Sequence, residues 1–415
     1  MQYILKNKDI DVLCFEVQLA DSTNLSTIRV RIINVFNEAL LPMGIKRQSL
    51  DSISLDEALL TWIKARKIPH HRENAPYIVA TYSDYGNEGV MDYIHAGFGL
   101  GLNDSYWIMP IESTPNMTKH EFMSSAHTPA RWKDVNLYEN AFLESVERAA
   151  FGLFAKRLQP ISLSPEYTTN GMLKKCWHRS KDRICLYKAS SKMFGIGGEA
   201  YSEYYMAQIA RVLGFNAISY DLQMFYDEVV SVCEIFTSQD EGYVPMAQCL
   251  NARERKMRKN SQNNVIEHIL RLYDKAAFED LMLFDAIIYN ADRHLGNFGM
   301  IVDNNTGAPL RPAPIFDNGL SLIATLEEAY LNDIDTALAR DKSYFDIPFT
   351  EQMRLYVRER HLEHLTKLCH FEFTKHPKYN LADSILEPIN KHLQRRARQA
   401  IALCEEKQQR GIYRI

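Results

Sequence analysis

Apolar and polar positions alternate with two different periods along this 415-residue chain, and the changes of period divide it into regions. At the start, YILKN and VLCFEV alternate residue by residue, the pattern of strands with one covered face, and Asn7, Lys8 and Asp9 between them read as a hairpin turn. SLDEALLTWIKARKIP then takes up the helical period. Leu55, Leu59, Trp62 and Ile63 share a face, Ser54 and Glu57 stand in capping-box register, and Pro69 supplies the stop. From 77 to 150 the chain is rich in aromatic residues and short of long helical patterns. This predicts a packed α/β segment in which Tyr106, Trp107 and Trp132 fill a core or line a groove, followed by a helix in ENAFLESVERAAFGLF.

The pattern changes again at 160 to 190. A turn-rich approach, SPEYTTNG, leads into two strands joined at Ser180 to Arg183, and the alternation in ICLYK places Ile184, Leu186 and Lys188 on one face. GEAYSEYYMAQIARVLGF follows as a helix, with Met206, Ile209, Ala210 and Leu213 as its apolar stripe and Gly214 as its end; Glu199 and Glu203 lie in its first turns. Two more strands, turning at Asp227 and Glu228, open into SQDEG. Beyond 250 helical patterning dominates, through VIEHILRLYDKAAFEDLMLFDAII, EQMRLYVRERHLEHLTKL and a final helix from about 384 to 409. That last helix carries Ser384 and Glu387 as a capping box and Leu386, Ile389, Leu393, Ala397 and Ile401 as its stripe.

Composition narrows the classes without naming one. The net charge of -4 gives no global basic field for nucleic acid or an anionic membrane. Two local basic runs, Lys64 to Arg72 and ARERKMRKN, read first as solvated surface, with phosphate or an acidic partner as the alternative. The seven cysteines form no metal-ligand or disulfide framework and fit reduced thiols in a cytoplasmic protein, while no segment has the apolar run of a signal peptide or membrane span.

Candidate chemistry lies in AIIYNADRHLGNFGM (286–300) and PAPIFDNGLSL (312–322). An acid, four residues, an asparagine and then a second acid about 20 residues on is the order in which protein kinases place a base, a metal-binding amide and a metal-binding carboxylate. In that order Asp292 accepts or positions the proton of an attacking hydroxyl, and Asn297 and Asp317 hold Mg²⁺. His294 lies inside the loop as a further catalytic candidate, with bracing by hydrogen bonding as its simplest role. Upstream, Lys188 is placed to pair with Glu203, or less favourably Glu199, and to grip the phosphates of ATP. Thr168, Thr169, Asn170 and Gly171 form the turn that would cover those phosphates, and the backbone between Glu234 and Phe236 would face adenine. Each residue alone has an ordinary structural explanation; their order along the chain carries the signal.

NADRHLGNFG and APIFDNG closely resemble the catalytic and metal motifs of HipA-like bacterial serine/threonine kinases, and SEYYMAQIARVLG resembles the glutamate-bearing helix of that family. Asn290, Asp292, Arg293, His294 and Asn297 fall on the family pattern N-x-D-R-H-x-x-N. The resemblance, over about 160 to 410, implies an α+β, bilobal protein-kinase-like fold. Its expected parts are an α/β accessory region at 1–158, a small β-rich N-lobe at 159–245 and a larger helical C-lobe at 246–415. It further implies ATP and Mg²⁺ as cofactors, a protein serine or threonine as acceptor, and, because several members belong to toxin–antitoxin systems, a toxin role with an antitoxin partner. Direct DNA binding and membrane association are not expected. The family's phosphate loop carries a serine that can be autophosphorylated; here Ser164, Thr168 and Thr169 are the residues nearby, without a clear match. GLNDSYWIMP and WKDVNLYEN resemble an N-terminal extension of family members from Gram-positive bacteria and their mobile elements, which draws attention to Asn103, Asp104 and Trp107. Two other readings stand beside this one: a phosphoinositide or lipid-type kinase, which shares the DRHxxN order, and a non-catalytic pseudokinase module binding protein or DNA.

Overall fold

The computed structural model describes residues 1–19, 28–49, 53–81, 94, 96–111, 131–153, 163–181, 183–191, 196–256 and 262–410. The later part of the second basic run, 257–260, lies outside them. Among the described residues the fold is mixed α/β with three antiparallel sheets.

The first sheet has the order β3-β2-β1-β4, from β1 (Gln2–Asn7), β2 (Ile10–Leu19), β3 (Ile28–Val35) and β4 (Tyr106–Ile111). The expected hairpin at its centre turns at Lys8, whose φ of 51° is left-handed. Helices α1 (Met43–Ser49) and α2 (Leu55–Ala65) cover one face, and Leu59, Trp62 and Ile63 pack there with Leu5, Leu13 and Phe15. The Ser54–Glu57 capping box of α2 forms in both directions. Trp107 is fully buried, and its indole donates to the Lys8 carbonyl at 2.7 Å. The helix expected before residue 154 is short, Glu144–Ala150.

The second sheet, β5-β6-β8-β7, consists of β5 (Lys175–Ser180), β6 (Arg183–Lys188), β7 (Asp221–Phe225) and β8 (Glu228–Glu234). Helix α3 (Gly198–Val212) packs beside it, with Met206, Ile209, Ala210 and Leu213 buried as their spacing predicted. Both hairpin turns use left-handed residues, Lys181 in one and Tyr226 with Asp227 in the other.

A third, smaller sheet, β11-β10-β9, combines β9 (Glu241–Pro245), β10 (Gly299–Asp303) and β11 (Pro309–Pro312). It rests on a helical core built around α4 (Lys275–Ile288), α5 (Phe349–Tyr356), α6 (Leu362–Leu368) and α7 (Asp383–Gln409). Two expectations need correction here. EQMRLYVRERHLEHLTKL is two helices, broken at Val357, where the backbone turns extended. The capping box of α7 does not form: the helix starts at Asp383 behind Ala382, so Ser384 lies inside its first turn rather than at the cap. Its stripe is as read, with Leu386, Ile389, Leu393 and Ala397 buried. Among the described residues no helix is long and apolar enough to cross a membrane.

Candidate active site

Helix α4 delivers the AIIYNADRHLGNFGM segment. Asp274 caps its start by accepting from Ala277 N at 2.8 Å, and the helix stops at Tyr289, whose φ of 57° redirects the chain. A buried hub then holds the loop that follows. Arg293 donates to both oxygens of Asp285 at 3.0 Å, to the Asn297 carbonyl at 2.9 Å and to Asn318 Oδ1 at 2.8 Å, and it also reaches the Phe316 carbonyl. Asn290 joins by donating to Asp285 at 3.0 Å and accepting from Asp292 N at 3.1 Å. One guanidinium thus connects the 290–297 loop to the segment bearing Asp317. Both ions are about 1% exposed, so each depends on the other for charge compensation.

The loop residues then take distinct positions. Asn297 donates its Nδ2 to the Asp292 carbonyl at 3.0 Å, leaving Oδ1 without a hydrogen bond among the described residues. His294 accepts from Gly296 N at 2.9 Å through Nδ1, and its carbonyl accepts from Asn297 N at 2.9 Å. The imidazole therefore braces the turn. Asp292 is half-buried; burial raises its pKa, with His294 opposing and the neighbouring Asp317 charge adding to the rise.

Lys188, at the end of β6, donates to Glu203 at 2.6 Å and to Asp317 at 2.5 Å. Glu203, rather than Glu199, is its helix partner; Glu199 instead accepts from Ser191 N and Oγ. Ser231, directly across from Lys188 on β8, donates to Glu203 and fixes it from the other side. Asp317 sits at φ 55° with its N–H donated to the Tyr220 hydroxyl at 2.9 Å. Burial alone would lower the Lys188 pKa, but Asp317 and Glu203 outweigh it and hold the amine protonated. For Asp317 burial is likewise outweighed, by Lys188 and then Lys175, and the carboxyl lies well below the ordinary range.

The hydroxyl side chains of the covering turn are engaged within the protein. The Thr169 hydroxyl donates to the Pro165 carbonyl at 2.7 Å and accepts from the Trp177 indole at 3.2 Å. Thr168 donates to the Leu100 carbonyl at 2.7 Å. Ser164 is buried and donates to Glu166. All three hydroxyls are thus engaged inside the protein, and the turn offers backbone. Gly171, at φ 98°, has no side chain between that backbone and the Lys175 amine, which a Cβ there would overlap.

At the other end, Phe236 forms an aromatic cluster with Tyr243 and Phe316, at centroid distances of 5.3 to 5.6 Å. The Glu234 side chain is exposed at the end of β8. A separate recess lined by Trp62, Arg66, Asp104, Tyr106 and Gln248 contains no Asp292, Lys188 or Asp317. Its Arg66 is consumed by Asp104 in a two-pronged pair at 2.6 and 3.0 Å and by the Gly99 carbonyl.

The structure therefore brings Lys188, Glu203 and Asp317 into direct contact and joins Asp292, His294 and Asn297 to them through the Arg293 hub. Sequence reasoning passed over Asp285, Asn318, Tyr220, Ser231 and Lys175. Asp285 had a faint signal, an acid inside the otherwise apolar stretch Leu281–Ile288; for the others no local pattern marked them.

Comparison with known proteins gives the family of the chain. A model of the HipA-like C-terminal domain matches residues 163–401, more than half of the chain. The chain belongs to the HipA-like kinase family. Serine/threonine-protein kinase CtkA of Helicobacter pylori is 26% identical over 154 residues, 34% of this chain and 47% of that protein, so the match spans about half the relative's length. The crystal structure of that proinflammatory kinase covers 56% of this chain and 95% of its own, at 19% identity and a TM-score of 0.44. The HipA of Shewanella oneidensis, solved with HipB and operator DNA, aligns over 97% of both chains at 13% identity and a TM-score of 0.46.

Proposed function

We propose that this protein is an ATP- and Mg²⁺-dependent kinase that phosphorylates serine or threonine hydroxyls of a protein, with residues 159–245 and 246–415 as the two lobes around the site. The observation that carries this reading is Lys188 held between Glu203 and Asp317, with Asp317 tied through Arg293 to the Asp292–Asn297 loop. The residues fit the metal: the unengaged Oδ1 of Asn297 and the ionised carboxylate of Asp317 are hard oxygen donors. When bound there, Mg²⁺ would neutralise phosphate charge.

This chain's own residues supply the rest. Lys188, kept protonated, offers a positive charge to the nucleotide phosphates, and Glu203 with Ser231 sets where that charge points. Asp292 orients the acceptor hydroxyl and takes its proton as the phosphoryl group leaves ADP for the hydroxyl oxygen. His294 and Arg293 keep the loop in shape. Residues 1–158, as an accessory region, hold the covering turn from outside. Family membership also supports a toxin role with a small antitoxin partner.

The test is incubation with γ-labelled ATP, Mg²⁺ and cell extract, followed by identification of labelled residues. Transfer to protein serine or threonine by the native chain and none by Asp292→Ala supports the reading. Transfer to inositol lipid alone would replace it with a lipid kinase, and nucleotide-free behaviour of the native chain would leave a non-catalytic module.

A further inference from the structure

The loop that carries Asn297 is held by a residue outside the motifs. Tyr243, on β9, is buried, and its hydroxyl donates to the Gly296 carbonyl at 2.9 Å. The other end of the same peptide bond, Asn297 N, donates to the His294 carbonyl at 2.9 Å. Both polar ends of the Gly296–Asn297 peptide are therefore tied, which sets the plane from which the Asn297 side chain departs. That side chain donates its Nδ2 back to the Asp292 carbonyl, so a tilt of the plane would turn the Oδ1 offered to the metal.

The surroundings of Tyr243 keep this contact in place. Its ring meets Phe316 edge-on at 5.4 Å and Phe236 at 5.6 Å, so it cannot swing away without breaking the cluster that precedes Asp317. Its backbone is anchored from the N-terminal region. Tyr243 N donates to the Asn103 carbonyl at 2.7 Å, and the neighbouring Leu102 carbonyl accepts from the Thr237 and Tyr138 hydroxyls, each at 2.6 Å. Asp104, next along, is gripped by Arg66 at 2.6 and 3.0 Å. Three successive residues of the N-terminal region are thus tied down along the outer edge of β9. Gly242 admits them: a Cβ there would lie 2.7 Å from the Asn103 carbonyl and 2.5 Å from Asn304 Oδ1.

One tyrosine therefore joins the N-terminal region, the aromatic cluster before Asp317 and the peptide that aims Asn297. Resting on the kinase reading, we propose that Tyr243 is a positioning residue through which residues 102–104 of the N-terminal region set the Asn297 amide for the metal. The accessory region is then part of what makes the site competent for Mg²⁺, although it touches none of the reacting atoms.

Two readouts on the full-length chain test this: hydrogen exchange of the backbone amides at 290–298, and calorimetric binding of a non-hydrolysable ATP analogue with and without Mg²⁺. Tyr243→Phe, which keeps the ring and removes the bond, should speed exchange in this loop by about 3- to 10-fold and reduce the Mg²⁺ enhancement of analogue binding by a similar factor. Metal-free analogue affinity should be unchanged. Gly242→Ala, which displaces the Asn103 carbonyl, and Thr237→Val, which releases the Leu102 carbonyl, should produce the same two changes. Gly242→Ala should add nothing further to Tyr243→Phe, with Thr237→Val taking its place in the pair should the alanine variant not fold. Native exchange at 290–298 in Tyr243→Phe, or a native Mg²⁺ effect, overturns the assignment while leaving the kinase reading intact. Equal losses of analogue affinity with and without Mg²⁺, or exchange that rises throughout the chain, make the bond a general support of the fold and also overturn it. Additive losses in the double variant, or a loop unchanged by both Gly242→Ala and Thr237→Val, overturn the part given to the N-terminal region. If the native chain does not bind the analogue at all, the kinase reading fails first and this inference with it.

Discussion

At the scale of single residues, the chemistry concentrates in groups whose charge state the surroundings decide. Burial and the nearby Asp317 carboxylate raise the Asp292 pKa. A base must be ionised to work, so the acidic limb of the pH–kcat profile is expected above the ordinary carboxylate range, and Asp292→Asn should lower kcat by about 10²- to 10⁴-fold while retaining nucleotide binding. Stability carries the opposite signature at Asp317, whose folded-state pKa is depressed. Its contribution is present above the ordinary carboxylate value and is lost as pH falls through the folded value, so Asp317→Asn should flatten the acid side of the stability curve measured by denaturant titration. Arg293 is a different case, because its removal strands a buried Asp285. Arg293→Met should cost about 3–5 kcal/mol in chemical denaturation. Arg293→Lys should recover little of that, since one ammonium cannot replace the several directed bonds of the guanidinium.

At the scale of elements, the loop between α4 and β10 and the turn before β5 are the parts that must be held still. The first is held from inside by Arg293. The second is held from outside, by residues of the N-terminal region: Ile68 N donates to the Tyr167 carbonyl at 3.0 Å, Glu73 N to the Met172 carbonyl at 2.7 Å, and Arg72 to the Thr169 carbonyl. Gly171→Val would place a branched side chain at φ 98° against the Lys175 amine. The KM for ATP should rise about tenfold or more with a smaller effect on melting temperature. An unchanged KM would mean that the turn does not cover the nucleotide.

Elements also show what could be read from sequence. The hairpin at Lys8, the capped helix α2, the β5–β6 pair and the helix with Glu203 were legible because each is specified by local period and turn chemistry. Lys188, Glu203, Asp292, Asn297 and Asp317 stood out through their order; the structure puts Lys188 in contact with Glu203 and Asp317 and links the loop of Asp292 and Asn297 to that segment through Arg293. The Arg72 anchor was read as solvated surface because its partners are carbonyls of residues 169 and 175, about 100 positions away; a cationic run says nothing of which member turns inward. The 168–171 turn was read for its backbone, and its Thr169 hydroxyl turns inward to the Pro165 carbonyl. Lys175 was hidden because strand-opening lysines are commonly solvated, and only the cross-strand pairing with Lys188 reveals its burial.

At the scale of the whole molecule, the N-terminal region is not a loosely tethered appendage. Asn7 donates to the Asn304 carbonyl at 2.6 Å, Lys8 pairs with Asp240 at 2.7 Å, and the Tyr138 hydroxyl contacts Thr237 at 3.1 Å beside the Phe236 cluster. Tyr243 N donates to the Asn103 carbonyl at 2.7 Å, which places the GLND string against the third sheet and gives it a structural role. With contacts of this kind across the junction, calorimetric unfolding should show one cooperative transition. Two well-separated transitions would indicate independent units.

Under the proposed function, Lys188, Glu203, Asp292, Asn297 and Asp317 form one phosphotransfer site. Its most direct test is a single-turnover measurement with γ-labelled ATP and Mg²⁺, comparing the native chain with Asp292→Asn and Asp317→Asn at equal nucleotide occupancy. Transfer to a serine or threonine hydroxyl by the native chain is expected, with loss of transfer in both variants and restoration of neither by excess Mg²⁺. Undiminished transfer by either variant, or saturating nucleotide with no transfer by the native chain to any protein in the extract, would contradict it.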